Sequence, residues 1–335
     1  MEVKWIKDLK EEDIDIVGKK ALDLSVLSRL NILTPNGFVI DASIFKHFIV
    51  KNKIQQKLHQ MLKKFEDNNN ISNLIKDLIM EGTIDYKIQD QIIEAYNNLN
   101  LKEDLKEVNK EALSFIQAGK DLPFVILRSR LIKPIEVDFN VFCVKGKNNL
   151  IQNIKKSWAS IFSQEFMEKI VDENLNLEDL SVSIIIQKQV LSAKSGILNN
   201  RLDNYEINAC FGLINPILSS QIDPDFYIID KNTLKIIDKR IKRQEFHDVL
   251  DINLSRILDR SLSEDKKTEQ KLNDFEILKI SELSKKIEES LSSRYDIEFA
   301  IEGSNVFIIQ IKPSKDPEKE IKEISEDYGK VPFID

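Results

Sequence analysis

Glycine, cysteine and long apolar runs are scarce in this chain of 335 residues. The sequence has 9 glycines, whereas an average usage of roughly 7% would give about 23. Neither a G-x-G-x-x-G nor a G-x-x-x-x-G-K-[ST] phosphate loop is present. The two cysteines, Cys143 and Cys210, form no spaced pair, which excludes a disulfide framework and a zinc site and favours a reducing compartment. The longest apolar stretches are far shorter than the roughly 20 residues that span a bilayer.

An excess of positive charge is also lacking. The formal net charge is -7 and the sequence pI is about 5.4, so we expect no nucleic-acid partner and no membrane partner. The first residues are charged throughout and contain no apolar signal segment, so we expect a cytoplasmic protein. The basic run 239–243 has two interpretations, a solvated rim or a polyanion site, of which the rim is the commoner.

The hydrophobic pattern changes along the chain. From about 43 to 118 it is helical and amphipathic, as Ile88, Ile92 and Tyr96 show by their spacing. Beyond Lys120, short apolar strands alternate irregularly with helices, which predicts an α+β, multi-lobed architecture. The predicted elements are strands at 124–127 and 184–187, hairpins at 226–238 and 296–312, a polar surface loop at 262–273 and a helix at 277–290.

The last predicted hairpin carries the most informative polar residues. Glu298 and Gln310 are twelve residues apart, so they share a face if the connecting loop has an odd number of residues. Gly303–Asn305 would supply such a loop. Lys312 would then lie beside Gln310, and Asp296 beside Glu298. An acid, an amide and a base on one face of an apolar hairpin are costly to bury unless they are paired or bind a ligand.

The alternative interpretation of this hairpin is a solvated outer face, with Phe299, Ile301 and Phe307 packing inward. Two further residues also have two interpretations. Arg128 ends an apolar strand, where a guanidinium suits a phosphate, although a structural ion pair is the commoner case. Lys20 follows Gly18 at a predicted helix start, where an anion could meet backbone amides, although most lysines are simply solvated.

Several segments together resemble one family. In chain order they are 16–24, 33–40, 127–129, 156–162, 186–190, 195–197, 211–213, 223–227, 296–300 and 309–313, of which the first two read I-V-G-K-K-A-L-D-L and L-T-P-N-G-F-V-I. The chain resembles the nucleotide-binding domain of phosphoenolpyruvate synthase and pyruvate phosphate dikinase, whose opening reads V-G-G-K-x-A-x-L and then V-P-P-G-F-V-V-T. Each matching segment is short, but their common order covers nearly the whole chain.

The resemblance implies an ATP-grasp fold of two lobes with a helical insertion in the N-terminal lobe. The expected organisation is an N-terminal lobe at 1–190 with the insertion at about 43–118, a C-terminal lobe at 191–316 and a charged tail at 317–335. We expect a free-standing domain, because neither the histidine-bearing domain nor the barrel domain of full-length relatives is present in the sequence.

The same resemblance implies the ligands, ATP and Mg²⁺, and the residues that hold them. Lys20 and Arg128 would contact the phosphates in catalysis. Gln187, Lys188, Gln189 and Val190 would line the adenine. Glu298 and Gln310 would hold Mg²⁺ and phosphate oxygens, and Lys312 stands where the family has an arginine.

Four departures from the family pattern bear on catalysis, and one of them is Lys312 in place of the family's arginine. Residues 130–139 are shorter than the family's Ser/Thr/Gly/Ala-rich phosphate-covering segment and contain no glycine. The family's G-G-K has become Gly18-Lys19-Lys20, and its G-L-G-E has become Gly212-Leu213-Ile214-Asn215. Phosphoryl transfer depends on positioning and on neutralising charge. Two hypotheses therefore stay open.

The first hypothesis is an ATP-dependent phosphotransferase that passes phosphate to a histidine on a separate chain. The second is a catalytically impaired nucleotide sensor, or a binding partner of an intact synthase. Retention of Lys20, Arg128, Glu298 and Gln310 favours the first or at least nucleotide binding, and the shortened segment favours the second.

Overall fold

The computed structural model describes residues 2–62, 68–100, 122–133, 137–172 and 177–314. The helices are α1 Ile14–Val17, α2 Lys19–Arg29, α3 Ala42–Lys51, α4 Ile54–Leu62, α5 Asn68–Glu81, α6 Tyr86–Asn98, α7 Lys147–Ser160, α8 Gln164–Asp172, α9 Asn215–Leu218, α10 Glu264–Lys267 and α11 Asp274–Leu291. The strands are β1 Val3–Trp5, β2 Gly37–Ile40, β3 Val125–Lys133, β4 Val137–Val144, β5 Ser181–Lys188, β6 Lys194–Asn200, β7 Asn204–Phe211, β8 Asp225–Asp230, β9 Ile236–Arg240, β10 Phe246–Asp251, β11 Arg256–Ser261, β12 Tyr295–Glu302 and β13 Asn305–Pro313. The predicted α+β class is confirmed.

The chain divides into two compact units. The N-terminal unit comprises Met1–Gln189 with Leu250–Ile257, and the C-terminal unit comprises Val190–Val249 with Leu258–Asp335. The predicted insertion continues past residue 100 into 101–118, and the predicted tail begins at 317; both stretches lie outside the described residues.

The N-terminal unit contains an antiparallel sheet in the order β1-β2-β5-β3-β4. Alternation along its strands sends one set of side chains, including Phe38, Leu127 and Ile186, into a core shared with the helices. Trp158 of α7 lies in that core against Phe45 and Phe48, with ring centroids 5.7 and 4.9 Å apart.

The opposite face of the same sheet carries polar side chains. Register pairs Gln187 with Ile126, Ile185 with Arg128, and Ser183 with Arg130, so these residues share one face. Ser183 Oγ donates a hydrogen bond of 2.9 Å to the carbonyl of Val17, at the end of α1. The sheet therefore has an apolar face on the helical core. Beside α1 and α2 lies its second face, here called the polar face, on which Gln187, Arg128, Arg130 and Ser183 alternate with buried apolar side chains.

The C-terminal unit contains an antiparallel sheet in the order β13-β12-β6-β7-β8-β9. Its inner face is apolar and buried, with Leu198, Ile207, Tyr227 and Phe299 at alternate positions. Helix α11 packs on β6 and β12. Asn273 begins α11 with a capping box, in which its Oδ1 accepts from the Glu276 amide at 2.9 Å.

The predicted surface loop at 262–273 is corrected by the structure. It contains α10, and Leu262, Lys271 and Leu272 are buried. The segment is held inward because the Lys271 ammonium forms a buried ion pair of 2.9 Å with Asp225, a residue distant in sequence. Across the described ranges, no helix is both long enough and apolar enough to span a bilayer.

Candidate functional site

Lys20 lies in the first turn of α2, half-buried, as the sequence predicts for a helix start. The preceding Gly18 has φ +82° and ψ 161°, a conformation that strongly favours glycine. A Cβ on Gly18 would lie 3.4 Å from Cδ of Arg130. The start of α2 is thus packed against the polar face of the N-terminal sheet.

Arg128 and Gln187 are brought together on that polar face. The Arg128 guanidinium donates a hydrogen bond of 2.7 Å from Nη1 to Oε1 of Gln187. Gln187 is 2% exposed, and its Nε2 donates to the carbonyl of Pro35 at 3.3 Å. Arg128 itself is half-buried. Hydrogen bonds to charged groups are among the stronger ones, so the two side chains hold each other in place.

Lys188 and Gln189, which follow Gln187, are anchored through their backbone amides. The Lys188 amide donates to the carbonyl of Asn36 at 2.8 Å, and the Gln189 amide donates to the carbonyl of Phe124 at 2.8 Å. The Lys188 side chain is exposed, whereas Gln189 and Val190 are buried. This stretch is therefore fixed at the end of β5.

Two charged residues of this face were not singled out from the sequence. Arg130 lies two residues after Arg128 on β3, and both face the same side. Asp23 of α2 is buried, and its burial raises the pKa of its carboxyl, while Lys19 at 3.2 Å and Arg130 act in the opposite direction. The alternation of Arg128 and Arg130 along a strand was the available signal for Arg130. No local pattern distinguishes Asp23.

The predicted hairpin in the C-terminal unit is present, and Glu298 pairs directly with Gln310. The expected three-residue loop is wrong. The turn is the two residues Gly303 and Ser304, with Glu302 opposite Asn305. A bulge between Glu298 and Phe299 shifts the register by one residue and restores the shared face.

The two-residue turn also corrects the predicted inner face. Phe299 and Ile301 are buried, as expected, but Phe307 pairs with Ala300 and is only half-buried. Ile308 takes the inner position opposite Phe299 and is fully buried.

Glu298, Gln310 and Lys312 form a polar group on the outer face. Lys312 Nζ donates to Oε1 of Glu298 at 2.8 Å, and the two side chains are 52% and 11% exposed, respectively. Gln310 is 8% exposed, and its Nε2 has no hydrogen-bond partner. A buried amide without a partner is uncommon and calls for an explanation such as a ligand.

Asp296 has a different role from Glu298. Its Oδ1 accepts a hydrogen bond of 2.9 Å from the Asn200 amide and one of 2.7 Å from Ser314 Oγ. Asp296 is therefore engaged in joining the ends of β6 and β13, and we leave it out of the candidate ligand-binding group.

The donor set at Glu298 and Gln310 fits Mg²⁺. Carboxylate and amide oxygens are hard ligands, and Mg²⁺ is commonly held by one or two protein groups with phosphate and water completing the shell. Within the described ranges, no group of three or more His, Cys, Asp or Glu side chains could hold a metal ion. Two oxygen-bearing side chains beside an ammonium are suited to a metal that arrives with a phosphate.

The basic run 239–243 is largely neutralised by acids. Arg240 Nε lies 2.7 Å from Asp238, and Arg243 Nη2 lies 2.9 Å from Glu264. Hydrogen bonds from Lys267 and Arg243 lower the pKa of the Glu264 carboxyl to about 2. The run is exposed and ion-paired, which favours the solvated rim over a polyanion site.

Comparison with known proteins identifies the family. The profile "Pyruvate phosphate dikinase, AMP/ATP-binding domain" matches residues 14–114 and 139–330. The chain belongs to this family. Lys20, the segment 187–190, Glu298, Gln310 and Lys312 lie inside the matched ranges, whereas Arg128 lies outside them. The case for Arg128 therefore depends on its geometry.

Curated relatives agree with this family. The chain is 32% identical to a probable phosphoenolpyruvate synthase of Archaeoglobus fulgidus, over 98% of this chain and 44% of the relative. It is 25% identical to the phosphoenolpyruvate synthase of Pyrococcus furiosus, over 93% and 43% respectively. An uncharacterized phosphotransferase of Bacillus subtilis, YvkC, is 24% identical over 90% and 34%. The chain thus spans less than half the length of these relatives.

A solved structure also aligns with the chain. The D-alanine–D-alanine ligase of Bacillus anthracis gives a TM-score of 0.25 at 9% identity, over 73% of this chain and 62% of that chain. A score this low supports no assignment of fold or function.

Proposed function

We propose that this chain binds ATP together with Mg²⁺, with the ATP-grasp lobes corresponding to residues 1–190 and 191–316. The proposal rests on membership of the AMP/ATP-binding family and on one observation in particular. Gln310 is nine-tenths buried with an unpartnered amide nitrogen, directly opposite Glu298 and beside an ammonium. This arrangement suits a ligand that brings both a cation and phosphate oxygens.

The proposed roles of the site residues follow from their charge. Lys20 and Arg128 would neutralise phosphate oxygens, and a guanidinium can do so with two parallel hydrogen bonds. Glu298 and Gln310 would hold Mg²⁺ through their oxygens, and Lys312 would contact a phosphate. When bound, Mg²⁺ supplies charge neutralisation at the phosphates. Residues 188–190, which follow Gln187 at the end of β5, would border the adenine.

The finer proposal is phosphoryl transfer to a histidine on a separate chain. In that reaction ATP, water and the histidine of the separate chain would give AMP, inorganic phosphate and a phosphohistidine. What this chain contributes is positioning and charge, which supply most of the catalysis in phosphoryl transfer. The similarity to a phosphoenolpyruvate synthase and to a probable phosphoenolpyruvate synthase supports this class of chemistry.

The alternative is a nucleotide sensor, or a partner of an intact synthase, with little turnover. The Lys312–Glu298 ion pair favours it, because an ammonium on Oε1 competes with a metal ion for that oxygen. The cytoplasmic location expected from the sequence stays a prediction under both alternatives.

Calorimetric titration with ATP plus Mg²⁺ tests nucleotide binding. The wild-type chain should bind with a micromolar Kd, and Glu298→Ala should weaken binding about tenfold or more, since it removes a charged ligand. Asp238→Ala is the matched control, because Asp238 is a carboxylate of the same sheet paired with Arg240. Absence of heat with the wild-type chain would overturn the proposal.

Phosphate release separates the two alternatives. A phosphotransferase should release phosphate at a rate of about 1 s⁻¹ or faster once its histidine acceptor is supplied. A sensor should bind ATP with the same dependence on Glu298 but release little phosphate.

A further inference from the structure

We propose that Gln187 is a positioning residue that fixes the Arg128 guanidinium for phosphate, rather than a residue that reads the adenine. The inference rests on the proposed ATP-binding function. The Gln187 side-chain amide is hydrogen-bonded at both its oxygen and its nitrogen. Its Oε1 accepts from Arg128 at 2.7 Å, and its Nε2 donates to the carbonyl of Pro35 at 3.3 Å.

These two hydrogen bonds fix the orientation of the amide. An amide rotated by 180° would place a donor against the guanidinium and an acceptor against a carbonyl, and both contacts would be repulsive. Gln187 is also 2% exposed, so solvent does not offer substitute partners. The acceptor oxygen is thus held at one place on the polar face of the sheet.

The backbone opposite Gln187 is adapted to it. Gly37 of β2 pairs with Gln187 of β5. A Cβ on Gly37 would lie 2.8 Å from Cγ of Gln187 and 2.7 Å from the carbonyl oxygen of Ile186, closer than real Cβ contacts. Glycine at position 37 therefore provides the space in which the stem of Gln187 lies.

Positioning is valuable because an arginine side chain has many rotamers. A half-buried guanidinium that must meet a phosphate loses conformational entropy on binding, and a fixed partner reduces that loss in advance. A guanidinium has five N–H donors, and the Gln187 contact uses Nη1. Gln187 would therefore raise affinity for the phosphate chain without touching the nucleotide.

The test compares three ligands: ATP with Mg²⁺, adenosine, and inorganic tripolyphosphate. Gln187→Met keeps the length of the side chain and removes both hydrogen bonds. We expect it to weaken ATP and tripolyphosphate binding about tenfold and to leave adenosine binding unchanged. In an Arg128→Met background the same substitution should weaken ATP binding less than about twofold, because coupled residues are not additive. Gln91→Met, at an exposed glutamine of α6, is the matched control.

Equal losses for adenosine and ATP would overturn the inference and assign Gln187 to the adenine. A full tenfold loss that persists in the Arg128→Met background would overturn it as well. A wild-type chain that binds neither ATP nor tripolyphosphate would overturn the proposed function itself, and the inference with it.

Gln187→Glu serves if Gln187→Met does not fold. The carboxylate keeps the contact with Arg128 but neutralises its charge, so tripolyphosphate binding should still weaken by about tenfold or more. Unchanged tripolyphosphate binding in this variant would contradict the inference.

Discussion

Two acids of the C-terminal sheet, Asp225 and Glu298, show how differently a carboxylate can be held. Asp225 is fully buried, as is its partner Lys271. Its Oδ1 accepts from the Lys242 amide at 2.8 Å and from the Lys271 ammonium at 2.9 Å. Its Oδ2 accepts from the Lys271 amide at 2.9 Å and from the Tyr227 hydroxyl at 2.8 Å. Glu298, on the other face, pairs with a half-exposed Lys312.

The difference separates a structural charge from a candidate functional one. Both oxygens of Asp225 are satisfied by protein groups, and burial raises the pKa of Tyr227, which keeps its hydroxyl protonated as a donor. Beside Glu298, by contrast, Gln310 keeps an unpartnered amide nitrogen. A satisfied network stabilises the fold, whereas an unsatisfied polar group beside a charge leaves a place for a ligand.

The largest expected effect comes from the buried pair. Lys271→Met removes the ammonium and leaves Asp225 as an uncompensated buried charge, which should lower the free energy of unfolding by about 3–5 kcal/mol. Urea denaturation monitored by circular dichroism measures it. A loss below about 1 kcal/mol would mean that water reaches Asp225. Asp225 and Glu298 would then differ only in how far each is exposed to solvent.

A smaller loss is expected on the polar face of the N-terminal sheet. Gly37→Ala places a Cβ 2.7 Å from the carbonyl oxygen of Ile186, and overpacking of this kind costs about 1–3 kcal/mol of unfolding free energy. Gly303→Ala is the comparison, because the turn at Gly303 has φ +60° and nothing within 4 Å of the added Cβ. Its cost should be the αL preference alone, about 1 kcal/mol. If Gly37→Ala and Gly303→Ala had equal urea midpoints and each lost about 2 kcal/mol, the lack of space for a Cβ would not explain the glycine at position 37.

The exposed counterpart of Lys271 should matter least for stability. Lys312→Met removes an ion pair whose lysine is half-exposed, so solvent screening limits the expected loss of unfolding free energy to about 0–1 kcal/mol. The same urea titration compares Lys312→Met with Lys271→Met directly. Similar losses for the two lysines would break the distinction between the two acids, since both pairs would then be structural.

Local pattern was sufficient for part of this molecule. The alternation of residues 296–312 predicts a hairpin with Glu298 and Gln310 on one face, and both features are present. The predicted connection was wrong, however, because a two-residue turn and a bulge replace the expected three-residue loop. Alternation predicts which residues share a face only in a regular strand. A bulge adds one residue and shifts the alternation, and no residue type in the sequence indicates where it occurs.

Long-range partners could not be found from local pattern. Lys271 lies in a polar stretch that predicts a surface loop, and only the fold brings it to Asp225. The Gln187–Arg128 hydrogen bond joins residues 59 positions apart, so nothing near Gln187 in the sequence indicates it. Family resemblance supplied Gln187 as a site residue, whereas its partner and its orientation come from the structure.

Cys210 can report how much of the outer face around Glu298 is accessible to solvent. Ser195 pairs with both Ala300 and Cys210, so Cys210 lies on the same face as Glu298, two strands away. It is nevertheless fully buried, and burial raises the pKa of its thiol to about 12. Burial likewise raises the pKa of Cys143 to about 11. Because the thiolate is the reactive form, neither cysteine should react with Ellman's reagent in the native chain at pH 8.

Two thiols should react after denaturation, which provides the internal control, and a Cys143→Ser variant assigns any native signal to Cys210. The pKa of Cys210 is raised in the folded state. Its buried neutral thiol therefore stabilises the fold below the ordinary thiol pKa of 9.0, and this stabilisation is lost as the pH rises towards about 12. Labelling of Cys210 in the native chain at pH 8 would mean that the outer face is accessible to solvent as far as β7. The region available to a ligand would then be wider than the Glu298, Gln310 and Lys312 group.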